Sequence, residues 1–317
     1  MKILKKGLLF AISFVLVINF VSCGDNDYEV KEISPQIKNE IEDYNRKANK
    51  DGISIIDMDN NPYFMQIQDG YKYETAKTIK YYSSVTKTKR HAKVLLPVNY
   101  DKKKNYPVLY LLHGLGGSHN TWINKDADII IQNLMYFENV PEMIVVFPNS
   151  QVNKREDTEG LSLNEQANAF DKTEEDLIKN LMPYINRHYR VKTGKENTAI
   201  AGNSMGGRNA ITIAFKHQEL FGYVGGFSSS HVIDDSNSSS VLKATLKDFI
   251  IKDKNDTFKK IMLCVGDKDY VCGGESYIIH DRMNNNGINH VFYKREGGHE
   301  NKVWQNGLYN FLKMIFI

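Results

Sequence analysis

Cysteine is scarce in this chain, with three in 317 residues. Cys23 adjoins the N-terminal apolar run, which leaves only Cys264 and Cys272 for the rest of the chain. Two cysteines do not make a disulfide framework, so stability has to come from a large apolar core. Cys264 sits within Ile261-Met262-Leu263-Cys264-Val265 and reads as a buried strand thiol, with a bond to Cys272 as the alternative. An excess of one charge is also missing: 41 basic and 38 acidic residues leave a net +3. That balance excludes a polyanion-binding protein, and Lys102 to Lys104 and Lys259-Lys260 read as solvated surface. No His/Cys cluster has metal-ligand spacing and no G-x-G-x-x-G follows a strand, so neither a metal nor a nucleotide cofactor is expected. There is no Gly/Ser-rich or Pro-rich linker and no internal repeat of about 20–50 residues. Low complexity is confined to a Ser-rich loop at 228–240. The length suits one domain of roughly 240–250 residues preceded by an extension.

Long apolar runs are absent except at the start. Lys2, Lys5 and Lys6 precede an apolar stretch from Gly7 to Val21, followed by Ser22-Cys23-Gly24 and then Asp25 and Asp27. This is the layout of an export signal. The run is short for a membrane span of about 20 residues. The boundary resembles a bacterial lipobox, with Phe20 where that motif usually carries a smaller aliphatic residue. The expectation is a signal over 1–22 and lipidation of Cys23, which anchors the protein to a membrane. Ordinary secretion or an uncleaved anchor is the alternative. Residues 23–70 read as a tether or a pad on the main domain, with a helix over Glu32 to Lys50 and a short strand over Gly52 to Ile56.

The main domain, 71–317, alternates strand and helix patterns. Ala76 to Thr86 and Arg90 to Leu96 read as antiparallel strands. The runs 107–112 and 143–147 are continuously apolar, as in strands of a sheet covered on both faces. Further strands are expected at 198–201, 223–228, 260–265 and 290–294. Helices are expected at 174–189, 206–217 and 304–315. The order predicts an α/β fold with a mostly parallel central sheet and helices on both faces.

Within that frame, Gly202-Asn203-Ser204-Met205-Gly206 falls between a strand and a helix. It reads as a nucleophile elbow of the G-x-S-x-G type, with Ser204 lifted clear of the sheet. His113-Gly114-Leu115-Gly116-Gly117 follows the strand at 107–112 and has the form of an oxyanion loop. The backbone N–H groups of Leu115 and Met205 are the expected donors, and Gly114 and Gly116 let the main chain approach the substrate. His113 reads as a structural residue. His299, after the last strand and before the closing helix, stands where the general base is expected. Asp267 and Asp269 both follow the strand at 261–265 and are both candidates for the acid that orients it. Glu275 reads as a loop residue near the site or a surface charge.

From residue 70 onward the chain resembles the feruloyl esterase and acetyl xylan esterase group, carbohydrate esterase family 1 of the α/β-hydrolases. The resemblance is carried by Tyr81 to Thr86, Tyr106 to Gly117 with Trp122, Pro148-Asn149, Asp176-Leu177, Pro183 to Ile185, Gly202 to Gly207 and Gly298 to Trp304. It implies Ser204 as nucleophile, His299 as base and, of the two aspartates, Asp269 as acid. It implies hydrolysis of a feruloyl or acetyl ester on a plant polysaccharide such as xylan. Trp122 and Asn203 join the expected substrate-binding residues, and Asn203 departs from the leucine usual before the nucleophile. Trp304 either lines the pocket or packs the closing helix. Rival readings are an esterase, thioesterase or acyltransferase for another acyl donor (a siderophore ester, S-formylglutathione or a lipid), or a non-catalytic carbohydrate-binding lipoprotein.

Overall fold

A computed structural model describes residues 62–230 and 249–317. The export segment, Cys23, the helix over 32–50, the strand over 52–56 and most of the Ser-rich loop lie outside the described residues. Eight strands form one sheet in the order β1-β2-β4-β3-β5-β6-β7-β8. They are β1 (Lys77–Ser83), β2 (Thr88–Leu95), β3 (Val108–Leu112), β4 (Ile144–Pro148), β5 (Thr198–Asn203), β6 (Tyr223–Phe227), β7 (Lys260–Gly266) and β8 (Val291–Arg295). β1 pairs antiparallel with β2, and β2 antiparallel with β4; all other neighbours are parallel.

The apolar runs are continuous because both sheet faces are covered. In β3, Val108, Tyr110 and Leu112 enter one core and Leu109 and Leu111 the other. β1, at the sheet edge, instead alternates exposed and buried positions over most of its length. The first core is closed by α5 (Met205–Lys216), by α6 (Gly273–Asn285), and by the segment from α3 (Thr173–Asp176) through a π-helical turn (Leu177–Leu181) to α4 (Met182–His188). The second is closed by α1 (Ala127–Phe137) and α7 (Asn301–Leu312). α2 (Leu163–Asp171) starts at a capping box in which Ser162 and Glu165 bond reciprocally.

Each strand expected within the described residues is present, with bounds within a residue or two except that β1 ends at Ser83, three residues short of Thr86. Leu177, Leu181 and Ile185 point inward as their spacing predicts. Three helices lacked a readable stripe in the sequence. α1 has Ile129-Ile130-Ile131 in one run, α2 is polar, and α6 is weakly amphipathic. The π turn departs from the regular helix expected over 174–189, because Met182 N–H is bonded five residues back to the Leu177 carbonyl. Packing also extends upstream of Gly70: Phe64 stacks edge-on to Tyr309 at 5.3 Å, and Asn133 Nδ2 donates to the Phe64 carbonyl at 3.0 Å.

One buried ion pair joins β2 to α3, and the same guanidinium holds the loop after β4. Arg90 on β2 is fully buried. Its Nε donates to Asp176 Oδ2 at 3.1 Å, and its Nη atoms donate to the carbonyls of Asn149, Gln151 and Asn153. Tyr81 Oη also donates to Asp176, at 2.6 Å. Removing the guanidinium strands a buried carboxylate and three carbonyls. Arg90→Ala is therefore expected to lose about 3–5 kcal/mol of stability, measured by denaturant unfolding.

Candidate active site

The C-terminal ends of the parallel strands gather the candidate residues. β5 runs straight into α5 through Ser204, whose backbone sits at φ 53°, ψ −125°. This is a costly region for a residue with a side chain, and surrounding contacts hold it there. Ser204 N–H donates to the Phe227 carbonyl at 2.9 Å, and its own carbonyl accepts from Arg208 and Ser230. The glycines on either side serve close approach. A Cβ at Gly206 would lie 2.4 Å from the His113 carbonyl oxygen, and one at Gly202 2.6 Å from the Gly206 carbonyl. The helix can therefore pack directly on the end of β3, as the elbow spacing requires.

That packing brings the loop after β3 to Ser204. A Cβ at Gly114 would lie 3.1 Å from both Ser204 Cβ and Asn203 Nδ2. Leu115 is half-buried beside it and Gly116 is exposed with φ 74°. Met205 is the first residue of α5, so its N–H is one of those a helix leaves without an internal acceptor. His113 is fixed and neutral. Its Nε2 accepts from Ser150 N–H at 2.9 Å, so Nδ1 carries the proton and donates to the Gly114 carbonyl at 2.7 Å. Burial lowers its pKa to about 4. These contacts make it a brace of the loop.

The candidate acid and base meet on the other side. His299 Nδ1 lies 3.0 Å from Asp269 Oδ2. Asp269 Oδ1 accepts from the backbone N–H groups of Val271 and Cys272 at 3.1 and 2.8 Å. Asp267 is turned elsewhere: its Oδ1 accepts from Gly297 N–H at 2.9 Å and so holds the loop that carries His299. The choice between the two aspartates thus falls to Asp269. Burial, the largest influence on Asp269, works against its charge, yet His299 and the hydrogen bonds keep its pKa below the ordinary carboxylate value. For His299, burial again opposes the charge, but the Asp269 carboxylate 3.0 Å away favours it and holds the pKa above 6.5. Ser204 shares no hydrogen bond with His299 in this geometry. Such bonds are often long without substrate and tighten on binding.

The remaining expected residues divide. Trp304 meets His299 edge-on at 5.0 Å and carries the Lys125 ammonium 4.2 Å above its ring, so it both packs α7 and touches the base. Asn203 is buried with its amide toward Gly114. Trp122 is a correction: it is 1% exposed, donates to the Leu112 carbonyl at 2.9 Å and packs on Phe227, so it supports the end of β3 from within the core and does not face a substrate. Glu275 is buried in the first turn of α6, neither in a loop nor on the surface. Cys264 and Cys272 are both free, and burial pushes the Cys264 thiol up to about 12. That Cys272 adjoins His299 had no sequence signal, because a lone loop cysteine carries no pattern.

Residues 83–315 match the family described as “Putative esterase”. The chain is 33% identical over 171 residues to an endo-1,4-beta-xylanase/feruloyl esterase of Xylanibacter ruminicola, an alignment covering 50% of this chain and 23% of that longer protein. It is 23% identical over 266 residues to an acetyl esterase of Caldicellulosiruptor saccharolyticus, covering 73% of this chain and 94% of that one. Among solved structures, a CE1 ferulic acid esterase from Anaeromyces mucronatus in complex with ferulic acid superposes with a TM-score of 0.73. It has 31% identity, over 84% of this chain and 98% of that one.

The raised pKa of His299 has a kinetic consequence. A general base works only when neutral, so activity is expected to fall as pH drops through the raised value. The acidic limb of kcat/KM should have its midpoint above 6.5, the ordinary histidine pKa, when ester hydrolysis is followed across pH. A midpoint below that value would contradict the electrostatics described.

Proposed function

Because the chain belongs to this esterase family, and within it to the CE1 ferulic acid esterases, it is a carboxylic ester hydrolase, and we propose that it releases feruloyl groups from plant polysaccharide esters through a Ser204 acyl-enzyme. The observation that carries the assignment of roles is the His299 Nδ1 to Asp269 Oδ2 contact, at the same end of the sheet as the strained Ser204. Ser204 Oγ attacks the ester carbonyl carbon while His299 Nε2 takes its proton. The imidazolium so formed faces Asp269, which keeps the proton on Nδ1 and stabilises the charge. Backbone N–H groups of Leu115 and Met205 receive the oxyanion. Losing one such donor typically costs about 2.7–4 kcal/mol of transition-state stabilisation. The tetrahedral intermediate collapses, the C–O bond to the alcohol breaks, and the alcohol leaves with the proton from His299. Water then repeats the sequence on the acyl-enzyme and frees the acid.

The feruloyl preference is supported by the ferulate-bound structure, aligned over nearly its whole length. An acetyl preference is the second reading, favoured by the acetyl esterase aligned over 94% of its length. Initial rates on methyl ferulate and 4-nitrophenyl acetate separate the two. We expect turnover of methyl ferulate, abolished in Ser204→Ala by a factor on the order of 10⁴ or more. Folded protein that turns over neither ester would overturn the proposal.

The N-terminal sequence supports export and attachment through a lipid on Cys23, which would bring the enzyme to extracellular polymers. In a bacterial host, the full chain is expected in the membrane fraction and Cys23→Ser outside it. Equal fractionation of the two would remove the anchor.

A further inference from the structure

The end of β6 makes contacts that the triad chemistry alone does not require. Phe227 accepts the nucleophile's N–H, and Ser230 N–H donates to the nucleophile's carbonyl at 3.1 Å. Between them stands Ser228, fully buried and held by its own N–H to the Cys264 carbonyl at 2.8 Å. Its backbone is left-handed, with φ 47°. Glycine occupies such a position without cost, whereas any residue bearing a Cβ is strained there. The Ser228 hydroxyl is shut off from solvent and has no hydrogen bond in this geometry. A buried hydroxyl in a strained backbone conformation is costly twice over, so its side chain has a use.

The neighbour that can use it is Asp269. One carboxylate oxygen is saturated by the N–H groups of Val271 and Cys272, and the other faces His299 Nδ1 with a lone pair to spare. The strand end bearing Ser228 lies beside the Asp269 turn: Ser276 Oγ is 3.5 Å from the Ser229 carbonyl and 3.4 Å from the carbonyl of Cys272, the residue whose N–H holds Asp269. Ser228 is accordingly among the groups that favour the charged carboxylate. We propose that Ser228 is a positioning residue of the catalytic centre, whose hydroxyl donates to the Asp269 carboxylate and locks it in the orientation that receives His299 Nδ1. One strand end then fixes both halves of the machinery: the nucleophile through Phe227 and Ser230, and the acid through Ser228.

The proposal rests on the triad assignment above, and strain and hydroxyl can be separated by substitution. Ser228→Gly relieves the strain and removes the hydroxyl; Ser228→Ala keeps the strain and removes the hydroxyl; Ser228→Thr keeps the hydroxyl and adds strain. Thermal midpoints and kcat and KM on 4-nitrophenyl acetate are measured for each, alongside wild type and Ser204→Ala. We expect Ser228→Gly to melt at or above wild type while kcat falls roughly tenfold or more at unchanged KM. Ser228→Ala should lose kcat similarly, and a folded Ser228→Thr should keep most of it. Should Ser228→Thr fail to fold, the glycine and alanine variants decide alone. A merely structural serine gives the opposite order, with activity following the melting temperature. Wild-type kcat in Ser228→Gly overturns the proposal. An inactive wild type, or a fully active Ser204→Ala, instead overturns the triad assignment.

Discussion

The close approach of two backbones is the constraint on which this site depends. Gly206 of α5 lies so near the carbonyls of Leu112 and His113 that a methyl group there would sit about 2.5 Å from both. With the helix pressed against the end of β3, the chain has no room for a relaxed turn between β5 and α5. Ser204 is left in a backbone conformation that such residues avoid. The same contact puts Gly114 beside the serine. Ser204 and the loop after β3 are thus positioned by one steric fact, and neither requires a flexible segment to find the other.

Asp269 and His299 are positioned differently, by hydrogen bonds that converge on carboxylates. Asp269 takes two N–H groups from the turn that opens α6, which fixes its orientation before His299 is considered. Asp267 holds the Gly297 N–H, and the Gly297 carbonyl accepts from Lys268, so the loop bearing His299 is clasped from both sides. The adjacent aspartates therefore divide the work: one meets the imidazole and the other holds its loop. Burial on this side opposes both charges of the pair and leaves each dependent on its partner.

The strands and the elbow were legible in the sequence because they rest on local patterns. Continuous apolar runs mark strands covered on both faces, and a glycine on each side of a serine marks a turn under steric pressure. Pattern separates Asp269 from Asp267 only slightly, since both follow the same strand; the family resemblance chooses Asp269 and the hydrogen-bond geometry agrees. Trp122 was misplaced because an indole near the oxyanion loop suits a substrate wall and a core anchor equally well in sequence. Its N–H on the Leu112 carbonyl decides for the anchor. α2 and α6 carry no legible stripe because their faces are polar or mixed, and nothing periodic marks Ser228 or Cys272.

The Arg90 network gives the sheet edge a part in catalysis at a distance. Arg90 grips the Asn149 carbonyl, the next residue's N–H holds His113 Nε2, and His113 in turn bonds the Gly114 carbonyl. A continuous hydrogen-bonded chain thus joins the outer hairpin to the loop beside the nucleophile. The hairpin and the oxyanion loop belong to one cooperative unit, so a fluctuation that frays β1 and β2 also loosens the site. The loop beside Ser204 is thus tied to residues far from it in sequence, on a hairpin that touches no substrate.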